Sequence, residues 1–258
     1  MESKDQKKAA PGRGLTWDEM QLIERLGRKQ NEPLLLKAEL ERLSKESIDW
    51  ASAVVTRWPL LLTAVRENMY PLIEFLVVDQ KVNINVGRTG TGEESTALHL
   101  ACSYADPKVV ELLCKHGANV YALNYYDEPV VAVIDVGMGR AYNYRDPPEL
   151  KDREAEMLEK LNILVKYGPG IPNINQRMKN GSCWKNGFTA LHQHLQSRLM
   201  LPRFYARLVE LGADTRPIYE PESDEGVDHH LNTFYDNPRE RAELHDALLM
   251  AVLKQPTA

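Results

Sequence analysis

The sequence is poor in the features that announce secretion, membrane insertion or catalysis. Its three cysteines, Cys102, Cys114 and Cys183, are odd in number and include no C-x-x-C pair, which excludes a closed disulfide framework and a thiolate zinc site. A reducing compartment, cytoplasm or nucleus, is the expected address. Apolar runs such as residues 59–65 and 75–78 fall far short of the roughly 20 residues a spanning helix needs. Positive charge is not in excess: 32 Lys and Arg against 37 Asp and Glu leave a net charge of -5. With no overall field to attract a phosphate backbone, nucleic acid is not an expected partner. The first 14 residues carry Lys4, Asp5, Lys7 and Lys8, then Pro11 and Gly14. They lack the apolar stretch of a signal peptide and read as a disordered leader. Motifs of the G-x-S-x-G, H-E-x-x-H or protein-kinase type are missing, and nothing pairs a nucleophile with a base. An enzyme, a cofactor and a metal are therefore not expected.

What is present is the composition of a folded chain, with 43% hydrophobic and 27% charged residues over 258 positions. Thr16 followed three residues later by Glu19, with Leu15 before and Met20 within, makes a capping box and staple at a helix start. Leu22, Ile23 and Leu26 continue at helical spacing, and Gly27 is expected to end the segment in a left-handed conformation. Asn31 and Pro33 reopen a helix with Leu36, Leu40 and Leu43 on one face, and residues 48–55 read as helical again. The stretch 15–57 is thus expected to be all-helical and to cap the remainder of the chain.

Beyond Trp58 the chain repeats itself. Thr96-Ala97-Leu98-His99-Leu100-Ala101 leads to Pro107-Lys108-Val109-Val110-Glu111-Leu112-Leu113 and then to Gly117-Ala118-Asn119-Val120. A second copy runs Thr189-Ala190-Leu191-His192, Pro202, Leu208-Val209 and Gly212-Ala213-Asp214. In both, the proline lies ten residues before the glycine and twelve before the Asn or Asp, and Pro71 lies twelve before Asn83. The physical reading is a helix pair and a turn. Proline suits the first helical position, where its missing N–H would go unpaired, and Asp106 before Pro107 offers a cap. Gly117 and Gly212 supply the left-handed stop. Such a pair is too thin to bury its own apolar stripe, so neighbours must stack.

Residues 96–120 resemble an ankyrin repeat, whose pattern opens T-P-L-H-x-A and recurs every 33 residues. Residues 189–214, 58–85 and 128–175 resemble it progressively less. The resemblance implies an all-α ankyrin-repeat solenoid of stacked helix pairs, about four repeats over residues 58–215, with helical N- and C-terminal additions. It also implies structural roles for Thr96 with His99 and Thr189 with His192, each hydroxyl and imidazole joined by a hydrogen bond that ties successive units. Residues 216–258 read as an acidic loop followed by a capping helix from Asn237-Pro238, with Leu244, Leu248, Ala251 and Val252 on its buried face.

Spacing exposes interruptions. Thr96 follows Trp58 by 38 residues and Thr189 follows Glu128 by 61, which locates insertions at 86–94, 137–156 and 169–187. Loops on a rigid scaffold are where binding concentrates. Tyr142, Tyr144 and Arg145 in one insert, Trp184 and Lys185 in another, and Arg88 in the third are the candidate partner-binding residues, since aromatics and arginine anchor interfaces. The glycine run 87–92 is not a P-loop, because Glu93-Glu94 stand where Gly-Lys-Ser/Thr should open a helix. His192 and His194 do not share a helix face, and His229-His230 with Asp228 lacks a third ligand. The expected function is a non-catalytic protein-interaction module or adaptor whose partner is another protein, with a basic segment suited to the net charge. Its rivals are a metal-dependent enzyme using the His-rich loops and a structural subunit docking into a larger complex through residues 15–57.

Overall fold

The structure, a computed structural model, describes residues 13–28, 33–55, 58–87, 95–134, 150–169, 171, 173–179, 187–197, 199–215 and 236–254. The chain divides into two units, Met1–Asn83 and Ile84–Ala258.

The first unit opens on a reciprocal cap. Glu19 accepts from the Thr16 amide at 2.8 Å while the Thr16 hydroxyl accepts from the Glu19 amide at 3.3 Å, starting α1 (Trp17–Arg28). Gly27 does not stop this helix. It lies inside α1 without a positive φ, and a Cβ there would sit 2.4 Å from Met69 Sδ, so its smallness serves close packing. Helix α2 (Pro33–Ser44) buries Leu36, Leu40 and Leu43. Arg13, inside the expected leader, is tied down: its guanidinium bonds Glu19 and Glu46, its amide donates to the Ser47 carbonyl at 2.8 Å, and its carbonyl accepts from Asp49 at 2.9 Å. Residues 1–12 lie outside the described residues.

Residues 48–55 are not the expected helix. The Asp49 carboxylate accepts from the Ser52 amide, closing a turn. Beyond it β1 (Val54–Val55) pairs antiparallel with β2 (Trp58–Pro59). Two β-branched valines and a proline without a donor suit an edge ribbon better than a helix. Helix α3 (Leu60–Arg66) comes next, then α4 (Tyr70–Glu74), which continues as a π-helical turn, Phe75–Asp79, with the Gln80 amide reaching back to the Phe75 carbonyl at 3.0 Å. Trp50 meets the Phe75 ring edge-on at 4.9 Å. Lys81 stands ten residues after Pro71, as Gly117 does after Pro107 and Gly212 after Pro202. Its φ of 51° matches their left-handed 93° and 96°, a conformation that costs a residue with a Cβ about 1–2 kcal/mol.

In the second unit the elements form two rows. One contains α5 (Ala97–Tyr104), a single 3-10 turn (Val130–Val133) and α8 (Ala190–Gln196), with both helices packed on the turn; the other contains α6 (Pro107–Lys115), α7 (Leu150–Tyr167), α9 (Pro202–Glu210) and α10 (Pro238–Leu253) in spatial sequence. The first helix that the repeat resemblance implies for residues 128–175 is reduced to that turn. Val130, Val131, Val133 and Ile134 crowd a helical backbone at χ1. Helix α7 begins within the expected 137–156 insertion, so residues 150–156 belong to a packed helix. Buried Leu244, Leu248 and Ala251 seat α10 on α9, while Val252 is turned to solvent.

Helix α7 holds both neighbours through opposite charges. Its fully buried Lys160 donates to the Cys102 carbonyl, in the last turn of α5, at 3.2 Å and pairs with Glu156 at 3.0 Å. Its Glu154 accepts from the Arg203 and Phe204 amides at the start of α9, at 2.7 and 3.1 Å. Cation at a helix C-terminus and anion at an N-terminus each oppose the partial charge of unpaired backbone groups. Asp106 does not cap α6 with its side chain; its backbone carbonyl accepts from Val109 at 2.9 Å and its carboxylate faces Lys108 at 3.5 Å.

Candidate functional site: a braced hairpin

The loop after α6 is built from side-chain bonds to backbone. Gly117 ends the helix at φ 93°, where a Cβ would meet nothing within 4 Å, so the glycine answers to backbone conformation alone. Asn85 clasps the turn beyond it: its amide donates to the Gly117 carbonyl at 3.2 Å and its oxygen accepts from the Asn119 amide at 2.8 Å. The same clasp recurs after α9, where Asn175 bonds the Gly212 carbonyl at 2.8 Å and the Asp214 amide at 2.7 Å.

Further along, buried Asn124 organises a hairpin. Its oxygen accepts from the Tyr126 and Glu128 amides at 2.9 and 3.0 Å, and its amide donates to the Glu128 carboxylate at 2.7 Å. Leu123 bridges Pro129, and Asp127 turns the chain with φ 56°. Lys179 braces the tip, donating its amide to the Tyr126 carbonyl and pairing with Asp127, both at 2.8 Å. Alternate residues then face outward together: Tyr121, Leu123 and Tyr125 are 39%, 38% and 57% exposed. Tyr125 meets Tyr126 edge-on at 5.3 Å.

The hairpin runs into a segment pinned by two imidazoles. His99 Nε2 lies 3.1 Å from the Glu128 carbonyl, so that nitrogen carries the proton and Nδ1 accepts from the Thr96 amide and hydroxyl at 3.3 and 2.9 Å. His194 Nε2 meets the Val131 carbonyl at 3.0 Å from the other flank. Ser103 donates to the Val133 carbonyl at 2.9 Å. Burial holds His99 down to about 4, keeping it neutral. Thr189 and His192 repeat the hydroxyl–imidazole contact at 2.7 Å.

Chemically this is a rigid presenter of side chains. Burial pushes the Cys114 thiol up to about 12 and raises Cys102 further, so neither supplies a thiolate at neutral pH. Among the described residues no group of three His, Cys, Asp or Glu converges on a metal position.

Residues 93–125 match the family model for the ankyrin repeat. The chain carries an ankyrin repeat. Alpha-latrotoxin-Lg1a from Latrodectus geometricus is 36% identical over 72 residues, covering 28% of this chain and 5% of that protein. The chain thus spans a small fraction of the curated relative it matches.

Thr96 is bonded to His99 and Thr189 to His192, while Gly117 and Gly212 separately take the left-handed backbone that ends α6 and α9. Arg88, Tyr142, Tyr144, Arg145, Trp184, Lys185, His229 and His230 lie outside the described residues. Within the expected 169–187 insertion, residues 173–179 already form part of the scaffold through Asn173, Asn175 and Lys179. Sequence reasoning passed over Asn85, Asn124, Asn175 and the tyrosines of the hairpin, and weighed His194 only as a metal ligand, not as the partner of the Val131 carbonyl. The Asn-Ile-Asn tripeptides at 83–85 and 173–175 and the alternation of Tyr121, Leu123 and Tyr125 were the signals that could have found them.

Proposed function

We propose that the chain is a non-catalytic protein-binding module of the cytoplasm or nucleus, in which the ankyrin repeat at 93–125 is one of about four stacked as a solenoid over residues 58–215. The observation that carries this reading is the hairpin: three outward apolar side chains, Tyr121, Leu123 and Tyr125, stand on a base locked by Asn85, Asn124 and Lys179. A preformed aromatic surface binds without a large ordering cost, and tyrosine supplies contact area with little side-chain entropy to lose. The recurrence of the Thr–His contact and the Asn clasp supports further repeats beyond the matched one. In this reading the insert residues Tyr142, Tyr144, Arg145, Trp184, Lys185 and Arg88 extend the same binding surface, and the partner is a protein. Capture of partners from source lysate with the intact chain, with Tyr121→Ala/Tyr125→Ala and with Tyr144→Ala/Trp184→Ala tests it. The hairpin variant is expected to recover its partners at least roughly tenfold less well, the loss of one or two interface anchors. Equal recovery by all three proteins removes both surfaces from the reading.

A further inference from the structure

We propose that the groove between α2 and α4 of the first unit is a docking site for a cationic amphipathic helix of a partner protein; this rests on the reading of the chain as a binding module. The groove encloses about 540 Å3 and has an apolar interior of Leu40, Pro71, Phe75 and Val78. Leu40 and Phe75 form its buried floor, the latter backed by Trp50, while Val78 is 36% exposed. The rim carries Glu41, Glu74 and Asp79 against one cation, Lys37.

The charge arrangement names the occupant. Elsewhere in the unit, Glu19, Glu24, Glu39, Glu46 and Glu67 are each engaged by Arg13, Arg28 or Arg42. Glu41, Glu74 and Asp79 form no ion pair among the described residues, although Lys37 shares their groove. Three uncompensated carboxylates around an apolar floor repel anionic ligands and select a segment with leucine-type side chains on one face and Lys or Arg beside them. The groove's shape has a backbone cause. The π-helical turn Phe75–Asp79 widens the end of α4, and such turns, rare in general, are frequent at functional sites. On α2, the strongly exposed Leu34 falls at helical spacing with the groove-lining Lys37, Glu41 and Ser44, which sets one apolar side chain in line beyond the polar rim.

The test uses the full chain and two synthetic helical peptides of identical leucine face, one with lysines and one with glutamates on the polar face. The lysine peptide is expected to bind, with affinity falling as salt rises, and the glutamate peptide not to bind. Glu41→Gln/Glu74→Gln/Asp79→Asn is expected to weaken the lysine peptide roughly tenfold or more, with far-ultraviolet circular dichroism checking the fold. A photoreactive leucine in the peptide provides a readout on the unaltered protein, where cross-links are expected within residues 34–44 and 71–80. Equal binding of both peptides, no binding of either, or cross-links elsewhere overturns the proposal. Binding lost in Tyr121→Ala/Tyr125→Ala and kept in the neutralised variant also overturns it, while leaving the module reading intact. Failure of that reading is a separate result: partner capture unaffected by any of these substitutions.

Discussion

At the scale of the residue, His99 and Gly168 each carry a specific liability. The His99 imidazole serves the fold only when neutral, since Nδ1 must accept while Nε2 donates. The unfolded chain takes up a proton below its ordinary pKa of 6.5, whereas the folded chain resists until about 4. The contribution of this burial is therefore complete above pH 6.5 and lost as the pH falls toward 4, by up to about 3 kcal/mol. Urea midpoints measured from pH 7 to 4.5 should fall more steeply for the native protein than for His99→Gln; matching slopes would refute the assignment. Gly168 tests packing without charge. A Cβ there would lie 2.3 Å from Val120 Cγ2, and a valine restricted at χ1 yields poorly. Gly168→Ala is expected to cost about 1–3 kcal/mol, read as a lowered thermal midpoint.

At the scale of the element, α7 is the piece on which its neighbours depend. Glu154 satisfies two amides of α9 that no backbone carbonyl reaches. Removing it as Glu154→Ala should destabilise the second unit by about 1–2 kcal/mol, the cost of a lost helix cap, whereas Glu154→Gln, which keeps an acceptor, should cost less. An equal loss for both would show that charge, not acceptance, matters there. None of this is legible in the sequence, because a Glu and a Lys six residues apart look like ordinary solvated positions until the fold buries them. The α5–α6 pair is legible, since Thr96, His99, Pro107 and Gly117 each have a local backbone reason to stand where they do. The segment at 130–133 is not: a consensus pattern suggests a helix, and β-branched crowding outweighs it. The candidate site escapes for a different reason. Insertions stand out against a 33-residue period, whereas Tyr121, Leu123 and Tyr125 sit within its normal spacing, where nothing interrupts the count.

At the scale of the whole molecule, two contact units with unequal probes allow a direct experiment. Trp17, Trp50 and Trp58 belong to the first unit and Trp184 to the second, so tryptophan emission reports chiefly on the first while circular dichroism reports on both. Superimposed urea transitions are expected if the helix pairs stack across residues 58–215 as proposed, whereas non-coincident ones would count against that stacking. Lys81 bears on the same measurements. It holds a left-handed backbone ten residues after Pro71, the spacing at which Gly117 and Gly212 follow Pro107 and Pro202, directly after the turn that walls the α2–α4 groove. A wall that ends in strain yields at low cost, so the groove can admit ligands of differing girth instead of one fixed shape. Hydrogen exchange should find the amides of Gln80 and Val82, bonded to Phe75 and Leu76, opening well before those of α3. Lys81→Gly, by relaxing that end, should slow their exchange and narrow the range of peptides the groove accepts.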